Sequence, residues 1–589
     1  MGDEKVGILE RLTPEDKIAA GIVLAAGIFL VVLVSGFQHI PSPIYGGDFY
    51  MARGFTQAIL NGRPFWQDPY YPGGYAYYGW LSYLLTAGTV KLTGASLERI
   101  STLLPVFLQL AYLLAAYLFG SAFFKSKRYG IISMLAVFAF RIIDMKLSAG
   151  LAWTLMLLTL YCFVRYEQVG RGDPGRKGYG VAMGIFMGLT ALSHINLFFG
   201  LMVLVCGAIG LEYLTRLWKL NFAKTTWHFA RRYFLPMLIA IVIAMLLIGP
   251  WIFVYHMKMP NPAQQYSTQD ISKLGVGWVF QLLLSLFFRT GLLQIIVGIV
   301  VLIGFIFCIL NRRQPEPRLA ILWLISALLG AGHFLITIPL FNTWSVPGYI
   351  WGAAIWIVEL ALFVYGIKNI ELMALKLNSS AQTRYAVYGA FLILLAVLFA
   401  TNLNAFNNDR WTQYGKTMDP GTQILFDTGD WILANTAMDD VFLANDESSF
   451  ALNAMSGRWI VMARRTHSTY YMDVDQRYAD GMVMLYGNNK TKVVELLKEY
   501  NVKYLYLDSF LMQYPMITGL RFEKYLGDNG LNFTIQDVRL DPASTSAPVY
   551  TSVVVPPQEL KILTYNITQP VKQFNYQGQT HSLIMEVLV

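Results

Sequence analysis

Asp48 is the side chain whose type and setting most invite chemistry. It follows two glycines in Gly46-Gly47-Asp48-Phe49-Tyr50, shortly after the first long apolar run, 18–37. A carboxylate that close to hydrocarbon is costly, which makes an ionisable residue there a functional candidate. The competing reading is a cap on a helix beginning near Phe49, and residue type alone leaves both open. Asp144, in Arg141-Ile-Ile-Asp144-Met-Lys146, is either a second acid or a local ion-pair partner of Arg141 or Lys146. His194 and Asn196, in Ser193-His194-Ile195-Asn196, sit where an apolar run ends. An imidazole there can carry a proton or a charge, or serve as a cap or packing group. Farther on, the stretch from Arg464 through His467, Asp473 and Asp475 to Arg477 is dense in polar and aromatic groups. Asp473 and Asp475 have the spacing of a metal pair but no placed third ligand. No Walker loop, dinucleotide fingerprint, HExxH or GxSxG occurs, so nucleotide-driven transport and serine hydrolysis lack support.

The elements that must position these residues are membrane helices. The chain has 589 residues, 55% hydrophobic, 15% aromatic and only 14% charged. Soluble proteins carry about 25% charged residues, and the apolar excess here lies in runs. Candidate spans are 18–37, 100–124, 130–143, 147–164, 181–191, 197–214, 234–255, 292–310, 319–340, 349–367 and 386–400, about eleven in all. The acid-containing start, 1–17, is unlike a signal peptide and predicts an uncleaved first helix. The net charge of +9 reads as basic cytoplasmic loops rather than nucleic-acid binding. Cys162, Cys206 and Cys308 lie in apolar runs and form no CxxC pair.

Alternating the helices puts 125–128, 165–177, 216–232, 311–313 and 368–384 on one side, which the positive-inside rule makes cytoplasmic. The loops 38–99, 141–146, 194–196, 256–276 and 341–348 then face outward. For this to hold, the apolar stretches 78–92 and 278–288 must lie at the outer interface as amphipathic helices. The chain divides into a membrane domain, 1–403, with a large first outer loop at 38–99, and an extracytoplasmic domain, 404–589. In the latter, helix-like 429–435 and 491–500 alternate with strand-like 441–444, 459–463, 502–507 and 584–589, as in a small α/β domain.

The first outer loop, rich in Tyr, Trp, Pro and Gly, supplies a resemblance. Gly47-Asp48-Phe49-Tyr50, then Asp68-Pro-Tyr-Tyr-Pro-Gly-Gly, then an interfacial helix and a span ending in basic residues, resembles the GT-C superfamily. These are membrane glycosyltransferases that use polyprenyl-phosphate-linked sugars, protein O-mannosyltransferases and oligosaccharyltransferases among them. The likeness is sequence-specific mainly in 45–130. In the tail, Trp431-Ile-Leu-Ala-Asn-Thr, Asp440-Val-Phe-Leu-Ala and 493–505 look like the start of the outer domain of archaeal-type oligosaccharyltransferases. The Trp-Trp-Asp-[Tyr/Trp]-Gly motif that holds an acceptor peptide in that family is missing. Asn445-Asp-Glu-Ser-Ser-Phe450 stands at the corresponding place.

The resemblance implies a GT-C-like polytopic helical protein of about eleven spans with a C-terminal extracytoplasmic α/β domain. It implies a glycosyltransferase with a polyprenyl-phosphate sugar donor and a protein, glycan or lipid acceptor. An acceptor hydroxyl would attack the sugar's C1 as the lipid phosphate leaves. Such a step needs a carboxylate to take a proton and positive charge to meet phosphate. By its place in the pattern Asp48 is the expected base or metal ligand, and Asp144 a second acid for a Mg or Mn ion if one is used. Arg53, Asp68, His194, Asn196, His333 and His467 are the expected substrate-binding residues. Lys258, Lys273 and Arg289 are further outward cations, each also readable as an interfacial anchor. The alternatives are oligosaccharyltransferase-like transfer of a larger glycan, and a lipid or solute transporter, for which two related halves are expected and none is visible.

Overall fold

The computed structural model describes residues 12–42, 47–170, 173–217, 222–258, 275–333, 335, 347–469, 471–539 and 549–589. Lys273 and most of the expected outer loops 256–276 and 341–348 lie outside the described residues. The chain forms two compact units. One comprises 1–36, 102–246 and 272–409, the other 37–101, 247–271 and 410–589.

The first unit is helical. Across the described residues of both units, eight helices are long and apolar enough to cross a membrane: Pro14–Val34, Leu97–Phe123, Leu147–Gln168, Ile195–Leu217, Phe222–Phe253, Leu292–Leu310, Ile350–Leu377 and Ala381–Asn408. The eleven expected spans thus include three that do not qualify. The run at 130–143 forms the 14-residue helix Lys127–Phe140, 319–340 begins as the 17-residue Pro315–Ala331, and 181–191 belongs to Pro174–Ser193, which starts with Arg176 and Lys177. Crossing a bilayer needs about 20 residues of apolar helix; Lys127–Phe140 is shorter than that, the described part of 319–340 is shorter than that, and Pro174–Ser193 has the length but a polar, basic first turn. The stretches 78–92 and 278–288 become Leu81–Thr93 and Val276–Phe287, of 13 and 12 residues. At 1.5 Å per residue each is only about 20 Å long, short of a 30 Å hydrocarbon core.

Burial ranks the long helices. Leu147–Gln168 and Ile350–Leu377 have 89% and 83% of their apolar windows buried, against 22% for Pro14–Val34 and 17% for Ala381–Asn408. The first two are central and the last two peripheral. Without hydrophobic drive in lipid, helices pack through small residues. A Cβ on Gly366 would stand 2.2 Å from the Val300 carbonyl oxygen, so only glycine permits that crossing.

The second unit is α/β. Strands β1 (Val441–Leu443), β2 (Trp459–Ile460), β3 (Val502–Asp508), β7 (Thr568–Tyr576) and β8 (Gln579–Val587) form a five-stranded sheet in the order β2-β1-β3-β8-β7. Here β1 runs parallel to β2 and β3, and β8 antiparallel to β3 and β7. The β7–β8 hairpin turns at Gln577-Gly578, both at positive φ as a tight primed turn requires. Strands β4 (Met516–Gly519), β5 (Thr534–Arg539) and β6 (Val549–Val555) make a separate antiparallel sheet, order β4-β6-β5. Helices Val474–Tyr486 and Lys490–Glu499 bury Met482, Val483, Val493 and Leu497 in a core shared with Leu443 and Leu505.

The stretch 38–99, expected to face outward, belongs to this unit. Its helix Gly47–Leu60 lies on helix Asp446–Ser456. The approach is close enough that a Cβ on Gly54 would meet Asn453 Oδ1 at 2.5 Å. Asn453 Nδ2 in turn donates to the Pro69 and Arg458 carbonyls at 2.9 and 2.7 Å. Arg63 donates to the carbonyls of Pro69 and Met438 and lies over the Trp459 ring. The loop is therefore ordered by the tail, not by its own turns alone.

Candidate active site

Gly47, at φ +81°, turns the chain into helix Gly47–Leu60, and Asp48 falls in its first turn. Unpaired N–H groups there favour a carboxylate. The Asp48 side chain keeps 41% of its surface exposed. From 419 residues along the chain, His467 places Nε2 at 3.1 Å from Asp48 Oδ1. An ionised carboxylate only accepts, so Nε2–H is the donor. In the neutral imidazole Nδ1 is then the acceptor, and Thr466 Oγ1, 3.0 Å away, donates to it. A relay from hydroxyl through imidazole to carboxylate results.

The short 3₁₀ turn Arg465–His467 is held from several directions. Tyr77 OH donates to the His467 carbonyl, and the Phe450 ring lies 5.2 Å from the imidazole. Tyr71 OH accepts from the Ala463 N–H at 3.2 Å and meets Ser468 Oγ at 3.1 Å. Arg464 forks onto Glu447, with Nε 2.7 Å from Oε1. Arg465 pairs with Asp475 at 2.5 Å and donates to the Ile517 carbonyl. The ring of His467 is only 12% exposed. It is fixed in place rather than free to swing.

Several expected ligands are occupied elsewhere. Asp68 is fully buried, its Oδ1 accepting from the N–H groups of Tyr70 and Tyr71 at 2.7 and 3.1 Å. Burial pushes its carboxyl up to about 7, against the two hydrogen bonds and the charges of Arg477 and Arg63. Instead of presenting an oxygen to substrate, Asp68 shapes the turn that carries Tyr70 and Tyr71. Arg53 is buried, with Nη2 2.5 Å from Glu98 Oε1 and Nη1 donating to the Ala454 carbonyl. Its guanidinium ties helix to helix. Asp473 caps helix Val474–Tyr486 and pairs with Arg521, while Asp475 faces Arg465, so the pair is not a metal site.

The remaining expected residues belong to the other unit. Asp144 pairs with Arg141 at 3.2 Å and accepts from the Lys146 N–H at 3.0 Å, the local arrangement. His194 ends helix Pro174–Ser193 and is buried, and Asn196 is half-buried in the first turn of Ile195–Leu217. His333 Nδ1–H donates to the Gly330 carbonyl at 2.7 Å. Arg289 pairs with buried Glu359 at 2.6 Å. Of the expected site residues, the structure brings Asp48 and His467 together. Tyr77 and Glu447 were missed, since single aromatics and acids carry no pattern. Only the crowding of polar groups at 464–477 signalled that region.

No protein-family model and no curated protein matches this sequence. Solved structures do. The archaeal oligosaccharyltransferase AglB from Archaeoglobus fulgidus, in complex with an inhibitory peptide and a dolichol-phosphate, is 12% identical over 96% of this chain and 80% of its own, with a TM-score of 0.52. The oligosaccharyltransferase from the same organism, tethered with an acceptor peptide containing the NVT sequon, gives 13%, 95%, 80% and 0.50. The mycobacterial arabinofuranosyltransferase AftD is 14% identical with a TM-score of 0.50, matched over 97% of this chain but 40% of AftD. This chain has the GT-C fold. Its structural neighbours are glycosyltransferases, and the apolar helices are those of a multi-pass membrane protein.

Within that fold the metal question turns on the donor set. Among the described residues no group of three or more His, Cys, Asp or Glu is gathered to hold an ion. Asp48 supplies a carboxylate, while both ring nitrogens of His467 are engaged, Nε2–H with Asp48 and Nδ1 with Thr466. Magnesium is commonly held by one or two carboxylates, with waters and substrate phosphates completing its shell, and the Asp48 carboxylate is of that donor type.

Proposed function

We propose that this protein is a glycosyltransferase that moves a sugar from a polyprenyl-phosphate donor to an acceptor hydroxyl on the outer face of the membrane. The outward placement rests on the basic loops, which the positive-inside rule assigns to the cytoplasm. Asp48 takes the proton of the acceptor hydroxyl as that oxygen bonds to the sugar's C1. The C1–phosphate bond breaks and its electron pair leaves with the lipid phosphate. His467, donating to Asp48 from Nε2, positions the carboxylate for the acceptor. If a divalent ion is used, Asp48 would hold it, and it would neutralise charge on the leaving phosphate.

The observation that carries this reading is the half-exposed Asp48 carboxylate within hydrogen-bond reach of a half-buried imidazole. A simple sugar transfer is favoured over peptide-directed glycan transfer by the segment standing where the peptide-holding motif would be. Asn445 caps helix Asp446–Ser456 through the Ser448 N–H at 2.7 Å, and Ser448 and Phe450 are buried. The test is Asp48→Asn in membranes supplied with lipid-linked sugars. A positioned base is worth roughly 10²–10⁴ in rate, so transfer should fall by that factor. Wild-type turnover by the variant would remove Asp48 from the chemistry.

A further inference from the structure

A second polar chamber lies in the helical unit, at the end of the bundle where the basic loops converge. Its volume is about 460 Å³, within the 300–1,000 Å³ range of ligand sites. The floor is apolar, made by Phe123, Phe163, Phe229, Leu319 and Leu322. Its rim carries Lys125, Arg216, Arg232, Arg313 and Arg318 against Glu167, Glu212 and Glu316. Five cations face three carboxylates, an excess of two positive charges.

The carboxylates organise the cations without exhausting them. Glu212 holds both Arg216, at 2.8 Å, and Arg318; Glu167 holds Arg232 at 2.6 Å, and Glu316 holds Lys125 at 2.6 Å. A guanidinium has five N–H donors, so each arginine retains donors for another anion. Arg232 Nε is buried without a hydrogen-bond partner, and Arg313 is exposed and makes no ion pair among the described residues. Helix Leu147–Gln168 has Gln168 at this chamber and Asp144 just beyond its other end. Its 22 residues span about 33 Å, so the chamber and the Asp144 loop lie on opposite membrane faces.

We propose that this chamber binds the phosphate headgroup of an anionic phospholipid from the cytoplasmic leaflet, with the acyl chains leaving across the aromatic floor. Positive charge without apolar lining would suit a free phosphate, and apolar lining without charge a zwitterionic lipid; the combination selects an anionic amphiphile. Basic pockets between membrane helices on the cytoplasmic side take such headgroups.

The test uses the full-length protein, delipidated in detergent and titrated with phosphatidylglycerol, phosphatidylcholine of the same chains, or inorganic phosphate. Binding is read by native mass spectrometry and by the shift in unfolding temperature. Saturable binding is expected for phosphatidylglycerol alone. Removing a surface cation weakens anionic-lipid binding about fivefold, so Arg216→Gln with Arg313→Gln should weaken it about 25-fold. Arg313→Gln alone breaks no ion pair and should weaken it about fivefold without altering the lipid-free unfolding temperature. Glu212→Gln, which removes a competing carboxylate, should retain or tighten binding. Equal binding of phosphatidylcholine, full competition by inorganic phosphate, or unchanged affinity in the double variant would each overturn the assignment.

Discussion

Asp68→Asn should remove a specific pH dependence from the stability of the α/β unit. The wild-type carboxyl is completely buried, Oδ1 accepts two backbone N–H groups, and burial raises it from 3.8 to about 7. A raised acid binds its proton more tightly in the folded chain than in the unfolded one. Its stability contribution is therefore intact below about pH 4 and is lost as pH rises towards 7. Over the full shift the loss is on the order of 4 kcal/mol at 1.36 kcal/mol per unit, and from about pH 5 to pH 8 on the order of 3 kcal/mol. Asparagine keeps the acceptor for Tyr70 and Tyr71 and does not titrate. It leaves a buried NH₂ where Oδ2 stood, a cost of about 1–3 kcal/mol that is the same at every pH. The assay is thermal unfolding of both proteins in detergent between pH 5 and pH 8. Glu447, which burial also pushes up to about 7 against the pull of Arg464, titrates in both, so the difference between the two proteins isolates Asp68. The wild type should lose its advantage by several degrees as pH rises. A difference that stays constant across that range would show that Asp68 is charged in the folded protein, and the burial reasoning would be wrong.

Other substitutions probe neighbouring contacts. His467→Ala should cut transfer by about tenfold or more while leaving the unfolding temperature within a few degrees, since the ring supports Asp48 and not the core; a stability loss without a rate loss would make it a packing residue. Gly54→Ala forces a Cβ to 2.5 Å from Asn453 Oδ1 and should cost about 1–3 kcal/mol by overpacking, visible as earlier proteolysis of the first loop. Arg53→Ala removes the ion pair with partly buried Glu98 and the donor to the Ala454 carbonyl and should cost about 3–5 kcal/mol, with Arg53→Ala/Glu98→Gln recovering part of it in a double-mutant cycle.

Much of the architecture was legible because it is written locally. Apolar runs mark the membrane helices, eight of which are long and apolar enough to cross among the described residues, while a run's composition does not by itself measure the length of the helix that contains it. Strands β1, β2, β3 and β8 were visible as short apolar runs between turn residues. Strands β4 to β7 were not; β5 and β7 carry Thr, Gln, Asp or Lys along their length, and only pairing makes them sheet. Asp48 stood out by position, and the polar crowding around His467 stood out by density.

Which of these groups meet was decided in three dimensions. Nothing local relates Asp48 to His467 across 419 residues; packing of helix Gly47–Leu60 on helix Asp446–Ser456 does, through the close approach at Gly54. The same folding took Asp68 and Arg53, which read as outward polar residues, into the interior. Local periodicity reports what a segment can bury, whereas a charge's fate depends on which distant chain covers it and what partner that chain brings.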